Sequence, residues 1–379
     1  MRQPFRKSIF LSVLLAALLL SGCAPDWEIS LTSSAGLDTI LTYQTWESAD
    51  RFAGEGGIPL EQILYGEQVE LIDRIVLTTQ QGKTLEVVWD QAAWGTRLTE
   101  KGTLSLGEEE FTPVEMEVII SPWADRVQAG IVDIAPTAAA ALDLPVPELA
   151  EGSPLAVERA DRVLLLFLDG FGYLRYQEAL QAGLIPVLGS LEPPLVGITT
   201  YPPITSVSTA SLLTGAPPPV HGVETRGIRK TEQETLLEIA SREGLQVSAV
   251  EGEALAFNLK GAALQLSGDR DGDGGTDDNV LANALAVLDE GTPDLFYVHF
   301  HGIDDLGHEV GPGAAAEAAQ FREVDRAVGV ILAEMPPGTL VIIFADHGMH
   351  LESGGERQGN HGHLIPRDML IPIWVEYLD

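Results

Sequence analysis

The stretch TLVIIFADHG, residues 339–348, decides the architecture. Its apolar run from Leu340 to Phe344 is too short for a buried helix, and is what a strand covered on both faces requires. The run ends abruptly in Asp346, His347 and Gly348. The same grammar recurs in ADRVLLLFLDG (160–170), LVGIT (195–199), LQVSAV (245–250), DLFYVHF (294–300) and MLIPIWV (369–375). Helical patterns separate these runs near Leu174–Ala182, Thr231–Glu243, Asp278–Leu288 and Ala314–Glu334. Buried strands alternating with helices predict an α/β fold with a doubly wound, mostly parallel sheet and helices on both faces. Ligands in such folds sit at the carboxyl ends of the strands.

From about Trp27 to Trp123 the pattern is β-like instead. VELIDRIVLTTQQGKTLEVVWD (69–90) reads as a hairpin about Gln81–Gly82, and VEMEVIIS (114–121) as a further strand. This smaller β-rich part carries no catalytic cluster. At the N-terminus, Arg2, Arg6 and Lys7 precede an apolar run from Ile9 to Leu20, too short for a spanning helix and flanked like a secretory signal. Cys23, the one cysteine of 379 residues, follows Leu-Ser-Gly and resembles the lipobox of bacterial lipoproteins. That resemblance implies cleavage after residue 22 and lipid on Cys23. The chain would then be exported and tethered at the extracytoplasmic face of a bacterial membrane; a plain signal peptide is the alternative.

The formal charge of −34 is spread along the chain and argues against a nucleic-acid polymer as partner. Any anionic substrate would need strong local positive charge, and with five lysines in the chain that charge must come from elsewhere.

Acidic and imidazole side chains gather at three strand ends. Asp169 closes RVLLLFLDG, and Asp346 with His347 closes TLVIIFADHG. Just past DLFYVHF, HGIDDLGH places Asp304 and His308 four residues apart, and GNHGH adds His361 and His363. His299, His301 and His350 read as ordinary satisfied polar groups. The remaining set converges on one sheet edge, and mixed carboxylate–imidazole ligands suit zinc, with manganese and iron fitting less well. Six such residues suffice for two divalent ions. This bears on YPPITSVSTASLLTGAPPPVHGV (201–223), which is rich in hydroxyls but holds no group able to activate one. Two ions would supply that activation, and the missing positive charge as well.

Together LFLDGFG, ITSVSTASLLTGAPPPVHGV, DDLGHEVGP, ADHGM and GNHG followed by IPIW resemble the alkaline phosphatase superfamily, most closely its type I phosphodiesterase/nucleotide pyrophosphatase branch. The resemblance runs from about Arg162 to the C-terminus. It implies a nucleophile nine residues before the threonine of the TG pair, and counting back from Thr214 lands on Thr205, with His221 in the following HG pair. It further implies one metal bound by Asp169, Thr205, Asp346 and His347, and another by Asp304, His308 and His361. Asp304 is preferred to Asp305, and His361 to His363, which would be an outer partner. The implied reaction is attack of Thr205 on the phosphorus of a small phosphate ester, diester ahead of monoester. A non-catalytic binding lipoprotein is the rival class. The domains expected are thus a signal peptide at 1–22, a β-rich domain at 23–128 and an alkaline-phosphatase-like metallohydrolase domain at 129–379.

Three departures qualify the resemblance. Ser208 stands where the branch usually has an asparagine that donates to a phosphoryl oxygen. No cysteine or serine followed by proline and arginine occurs at the nucleophile, which disfavours a sulfatase. GIVDIAPTAAAALDLPVPELAEGSPL (130–155) looks like a segment that closes many members, yet here it precedes the first strand. It reads as a permuted element whose helix, near Pro136–Leu142, packs beside Ile371–Val375, or else as a linker helix. Finally, Asp269, Asp271 and Asp273 alternate before Gly274 as in a calcium loop, but position twelve is Val280, and an acidic turn explains them more simply.

Overall fold

The computed structural model describes residues 25–107, 109–270, 272, 274–352 and 357–378; Cys23, the signal segment, Asp271 and Asp273 lie outside them. The chain divides after Ile120 into two compact units. The division precedes the expected boundary because Gln128 belongs to the second unit: its N–H donates to Val196 O at 2.8 Å and its side chain accepts from Val196 N.

Among the described residues the first unit holds two small sheets. One runs Asp38–Thr42, Glu28–Ser33, Glu115–Ile120, Ile72–Thr78, Thr84–Val88, and its expected hairpin pairs Thr78 with Thr84. Glu115–Ile120 alternates as a half-buried strand should, with Met116 and Val118 inside and Glu115 and Glu117 outside. The other sheet joins Ile58–Pro59, Thr96–Leu98, Leu104–Leu106 and Glu109–Phe111.

The second unit is built on an eight-stranded sheet. From edge to edge it runs Ala129–Gly130, Leu195–Ile198, Leu370–Tyr377, Thr339–Phe344, Arg162–Leu168, Leu295–Phe300, Val247–Glu251, Ala263–Leu266. The central runs are buried throughout, as strands covered by helices on both faces must be. All neighbours are parallel except Leu370–Tyr377, which is antiparallel to both of its partners. The α/β, mostly parallel sheet is therefore as expected, with one reversed strand. Ala263–Leu266 was not foreseen; it is a short, largely exposed edge.

Two local differences have plain causes. The helix expected from Thr231 begins at Leu236, where Thr235 and Glu238 form a capping box. The helix Ile134–Ala141 packs chiefly on the helix Thr205–Thr214 and the strand Arg162–Leu168, which corrects the expectation that it lies beside Ile371–Val375. The segment after this helix is tied to the TG pair: Gly215 ends the helix Thr205–Thr214 in the left-handed region (φ 68°), its O accepts from the N–H groups of Glu151 and Gly152, and a Cβ there would meet Ala150 at 2.8 Å and Pro136 Cδ at 3.1 Å.

Candidate metal centre and active site

Strand register assembles the site. Phe167 pairs with both His299 and Phe344, and Val250 with Val298, so Asp169, His301 and Asp346 leave the sheet at one level and Glu251 comes alongside His299. The turn after Asp169 requires glycine: Gly170 has φ 68°, and a Cβ on it would lie 2.8 Å from Asp304 Oδ1. The helix Gly302–Val310 then presents Asp304 and His308 one turn apart on one face.

The expected residues fall into two adjoining groups. In one, His347 Nε2 lies 3.1 Å from Asp346 Oδ2, 3.5 Å from Asp169 Oδ1 and 3.3 Å from Thr205 Oγ1. In the other, Asp304 lies 3.2 Å from His308 Nε2 and 3.9 Å from His361 Nε2. The rings of His347 and His361 stack at 3.6 Å, joining the groups. Asp305 turns instead to a separate polar cavity with Asp278, Glu309 and Glu323. His363 sits at another corner, its N–H donating to Asp368 Oδ2 and its ring 5.2 Å from that of His350, which also bonds Asp368. His361, not His363, therefore belongs to the cluster.

The donor set fits metal ions. Each of the three imidazoles places Nδ1 against a backbone carbonyl: His347 on Gly348 O, His308 on Gly359 O, His361 on Pro203 O, at 2.8–2.9 Å. That fixes the tautomer with Nε2 unprotonated and turned to the carboxylates, the arrangement metal-bound histidines adopt. Meanwhile Asp169 Oδ1, Asp304 Oδ1 and Asp346 Oδ2 are buried with no hydrogen-bond partner. Buried carboxylate oxygens facing imidazole lone pairs are costly without a cation between them. The electrostatics agree: burial and the neighbouring Asp169 push the Asp346 carboxyl well above its ordinary range. Burial and then His347 push His361 well below its own.

A second layer escaped the sequence reading. His299 Nδ1 meets Glu251 Oε1 at 2.9 Å while its Nε2 meets Asp169 Oδ2 at 3.1 Å. His301 bridges the same two acids, Nε2 at 2.8 Å from Glu251 and Nδ1 at 3.5 Å from Asp169. His301 N also donates to Asp277, whose other oxygen accepts from Gly302 N and Gln320. Although Asp169, His299 and His301 could themselves hold an ion, both His299 nitrogens are already committed to carboxylates. The cluster is thus a bracket gripping Oδ2 of Asp169. Against the cost of burial, the bonds from His299 and His301 hold that carboxyl well below its usual range. These histidines are satisfied polar groups, as expected, but what they satisfy is a candidate ligand. The signal available beforehand was only their alternation on one strand.

Thr205 is the first residue of its helix, the N-cap being Ile204. Ser208 is fully buried and bonded to Thr199 Oγ1 at 3.0 Å, so it cannot stand in for an asparagine donor. His221 is structural: its Nδ1 accepts from Val223 N at 3.0 Å and its Nε2 meets Ser211 Oγ at 2.9 Å. Burial lowers its pKa to about 4. Because the folded value lies below the free one near 6.5, the stability this neutral ring contributes is full above pH 6.5 and lost as pH falls toward 4. We expect unfolding free energy to fall by roughly 2–3 kcal/mol over that range through this group, and less in His221→Gln, as denaturant titrations at stepped pH can check.

Asp269, the described member of the alternating acids, accepts from the N–H groups of Gly272 and Gly274, as an acidic turn does. Arg226 was also missed. Its Nη2 lies 3.4 Å from His361 Nε2, which brings a guanidinium to the edge of the cluster.

Residues 247–373 match the family model described as Type I phosphodiesterase / nucleotide pyrophosphatase. The matched segment contains Asp304, His308, Asp346, His347 and His361; Asp169, Thr205 and Arg226 precede it. The catalytic subunit of GPI ethanolamine phosphate transferase 3 from Mus musculus is 29% identical over 86 residues, 23% of this chain and 7% of that protein. The chain thus spans a small fraction of the length of the curated relatives it matches. Among solved structures, phosphonoacetate hydrolase from Sinorhizobium meliloti 1021 is 18% identical at a TM-score of 0.40, covering 54% of this chain and 58% of that one. Murine ectonucleotide pyrophosphatase / phosphodiesterase 5 is 15% identical at a TM-score of 0.41, covering 51% and 58%. What these comparisons show is a similarity of residues 247–373, about a third of the chain, to the type I phosphodiesterase / nucleotide pyrophosphatase family.

Proposed function

We propose that the second unit is a metal-dependent hydrolase of small phosphate esters, diesters foremost, with Thr205 as nucleophile. The observation that carries this is the Thr205 hydroxyl, 3.3 Å from His347 Nε2 beside three buried, unpartnered carboxylate oxygens. Two divalent cations, zinc by the donor set with manganese as the alternative, would be held by Asp169, Thr205, Asp346 and His347 and by Asp304, His308 and His361. When bound they supply positive charge that lowers the hydroxyl's pKa and offsets charge on the phosphoryl oxygens.

The chain's own groups do the rest. Thr205 opens a ten-residue helix, so the phosphoryl group would face the positive end of that helix. The Thr205 proton leaves to solvent as Oγ bonds to phosphorus, and the bond from phosphorus to the ester oxygen breaks with its electron pair, the alcohol taking a proton from water. Hydrolysis of the Oγ–phosphorus bond then restores the hydroxyl. The bracket of Glu251, His299 and His301 keeps Asp169 from turning, leaving Oδ1 towards His347.

The test is turnover by the purified, metal-supplied chain of bis(p-nitrophenyl) phosphate, p-nitrophenyl phosphate and p-nitrophenyl sulfate. Cleavage of phosphate esters, with the sulfate slower by about a hundredfold or more, is the expected pattern. A protein that binds metal but cleaves none of them is a binding module, and this reading is then lost.

A further inference from the structure

Among the described residues Arg175 is the one arginine or lysine that is buried. It stands on the helix Tyr173–Gln181, just past the Asp169 turn, with its carbon Cζ 5.5 Å from the centre of the Phe321 ring. Its counter-charge is Glu317, also buried, the first residue of the helix Glu317–Glu334. Beyond that ion pair the guanidinium donates to two carbonyls, Nη1 to Gly170 O at 2.6 Å and Nη2 to Ile303 O at 3.1 Å. Glu317 is itself fixed: Oε1 takes Nη2 of Arg175, and Oε2 accepts from Gly313 N at 2.6 Å.

Each of those carbonyls adjoins a candidate metal ligand. Gly170 directly follows Asp169, and its N–H donates to Asp346 Oδ1 at 3.1 Å, so the first group is tied to this turn twice. Ile303 directly precedes Asp304, in the first turn of the helix that also carries His308. A single planar fork therefore joins the backbone of one group to the backbone of the other. The seating is close on both sides. A Cβ on Gly307 would lie 3.0 Å from Arg175 Nη2, and one on Gly170 2.8 Å from Asp304 Oδ1. Stability alone explains the arrangement poorly. Arg175 Nε is buried with no partner, and replacing a buried ion pair by apolar residues of similar volume is often neutral or stabilising.

Resting on the two-metal reading above, we propose that Arg175 is a positioning residue that sets the spacing between the two metal groups. Its fork ties the turn after Asp169 to the helix bearing Asp304 and His308, and Glu317 holds the fork in place. Ions that share a substrate lie about 3.5–4 Å apart, so a small shift of that helix against the turn would matter. The role requires a guanidinium, whose donors reach two carbonyls and a carboxylate at fixed angles; a lysine ammonium is one point on a flexible stem. Loss of the fork leaves every ligand side chain in place within its own group and frees the two groups to move apart.

The experiment titrates the chelator-treated protein with manganese(II) alone, beside Arg175→Lys and the uncharged double variant Arg175→Met with Glu317→Gln. Calorimetry gives the affinity of each ion, electron paramagnetic resonance shows whether two neighbouring ions are spin-coupled, and thermal melts give Tm. The double variant leaves no lone buried charge and keeps an acceptor for Gly313 N, so it decides the matter if R175K fails to fold. In each folded variant we expect one ion to bind within about threefold of the parent and the other about ten- to a hundredfold more weakly, with the coupled spectrum lost. A purely structural role would lower Tm yet leave the isotherm and the coupled spectrum of the folded protein as in the parent. That result, or an equal weakening of both ions, overturns the proposal. Metal binding is read without turnover. A parent that binds two coupled ions and cleaves no ester loses the hydrolase reading alone, whereas parental binding in the variants removes only this one.

Discussion

Thr205→Ala protein should fold, bind metal and phosphate, and cleave bis(p-nitrophenyl) phosphate at least on the order of 10³-fold more slowly than the parent, because the attacking atom is gone. The fold should survive. Thr205 is only half-buried in the first turn, while the helix is held by Val207, Ala210 and Leu213, which are fully buried. Its neighbour offers no rescue: Ser206 Oγ is buried without a partner, on a different side of the helix. Thr205→Ser keeps the hydroxyl at the same Cβ and should stay within about tenfold of the parent. Single-turnover rates and trapping of a phosphorylated residue provide the measurement. Full turnover by T205A would refute the assignment.

Removal of metal should have the second large effect. The Lewis-acid contribution of bound ions is several kcal/mol, so a chelated, dialysed protein is expected to lose on the order of 10³-fold or more in kcat and to regain it with zinc or manganese. Stability should move in the same direction. At a thousandfold excess over Kd a bound ion adds about 4 kcal/mol. At about 2–4 °C per kcal/mol for a unit of this size, Tm should rise by on the order of 10 °C when metal is restored. The reason is local: Asp169, Asp304 and Asp346 bury three unpartnered oxygens within one cluster, and the apo protein keeps them so at a cost. Thermal melts with and without chelator, alongside elemental analysis, decide the matter. An unchanged Tm with no bound metal would count against the whole site.

Much of this was legible because chain-local rules generate it. A short apolar run ending in Asp or Asp-His is a parallel strand with its side chains delivered to the carboxyl edge, which is how Asp169, Asp346 and His347 were found. Asp304 and His308 were found because four residues are one helical turn. MLIPIWV was less transparent. A buried apolar strand reads the same in either direction, so its antiparallel course could not be seen in its residues. The helix at Ile134–Ala141 was legible as a helix but not in its partner, since small apolar residues such as its alanines fit many surfaces.

The order of residues along the chain therefore settled the α/β architecture and pointed to the acids and imidazoles, since each depends on spacings within one strand, turn or helix, whereas Thr205 was singled out by the family resemblance. Folding in three dimensions settled the rest. It gave Asp169 its bracket of Glu251, His299 and His301, turned Ser208 inward, and brought Arg226 against His361. Those relations join residues far apart in the chain, and they follow from strand register and loop anchoring, where a shift of one residue would reverse the face each side chain occupies.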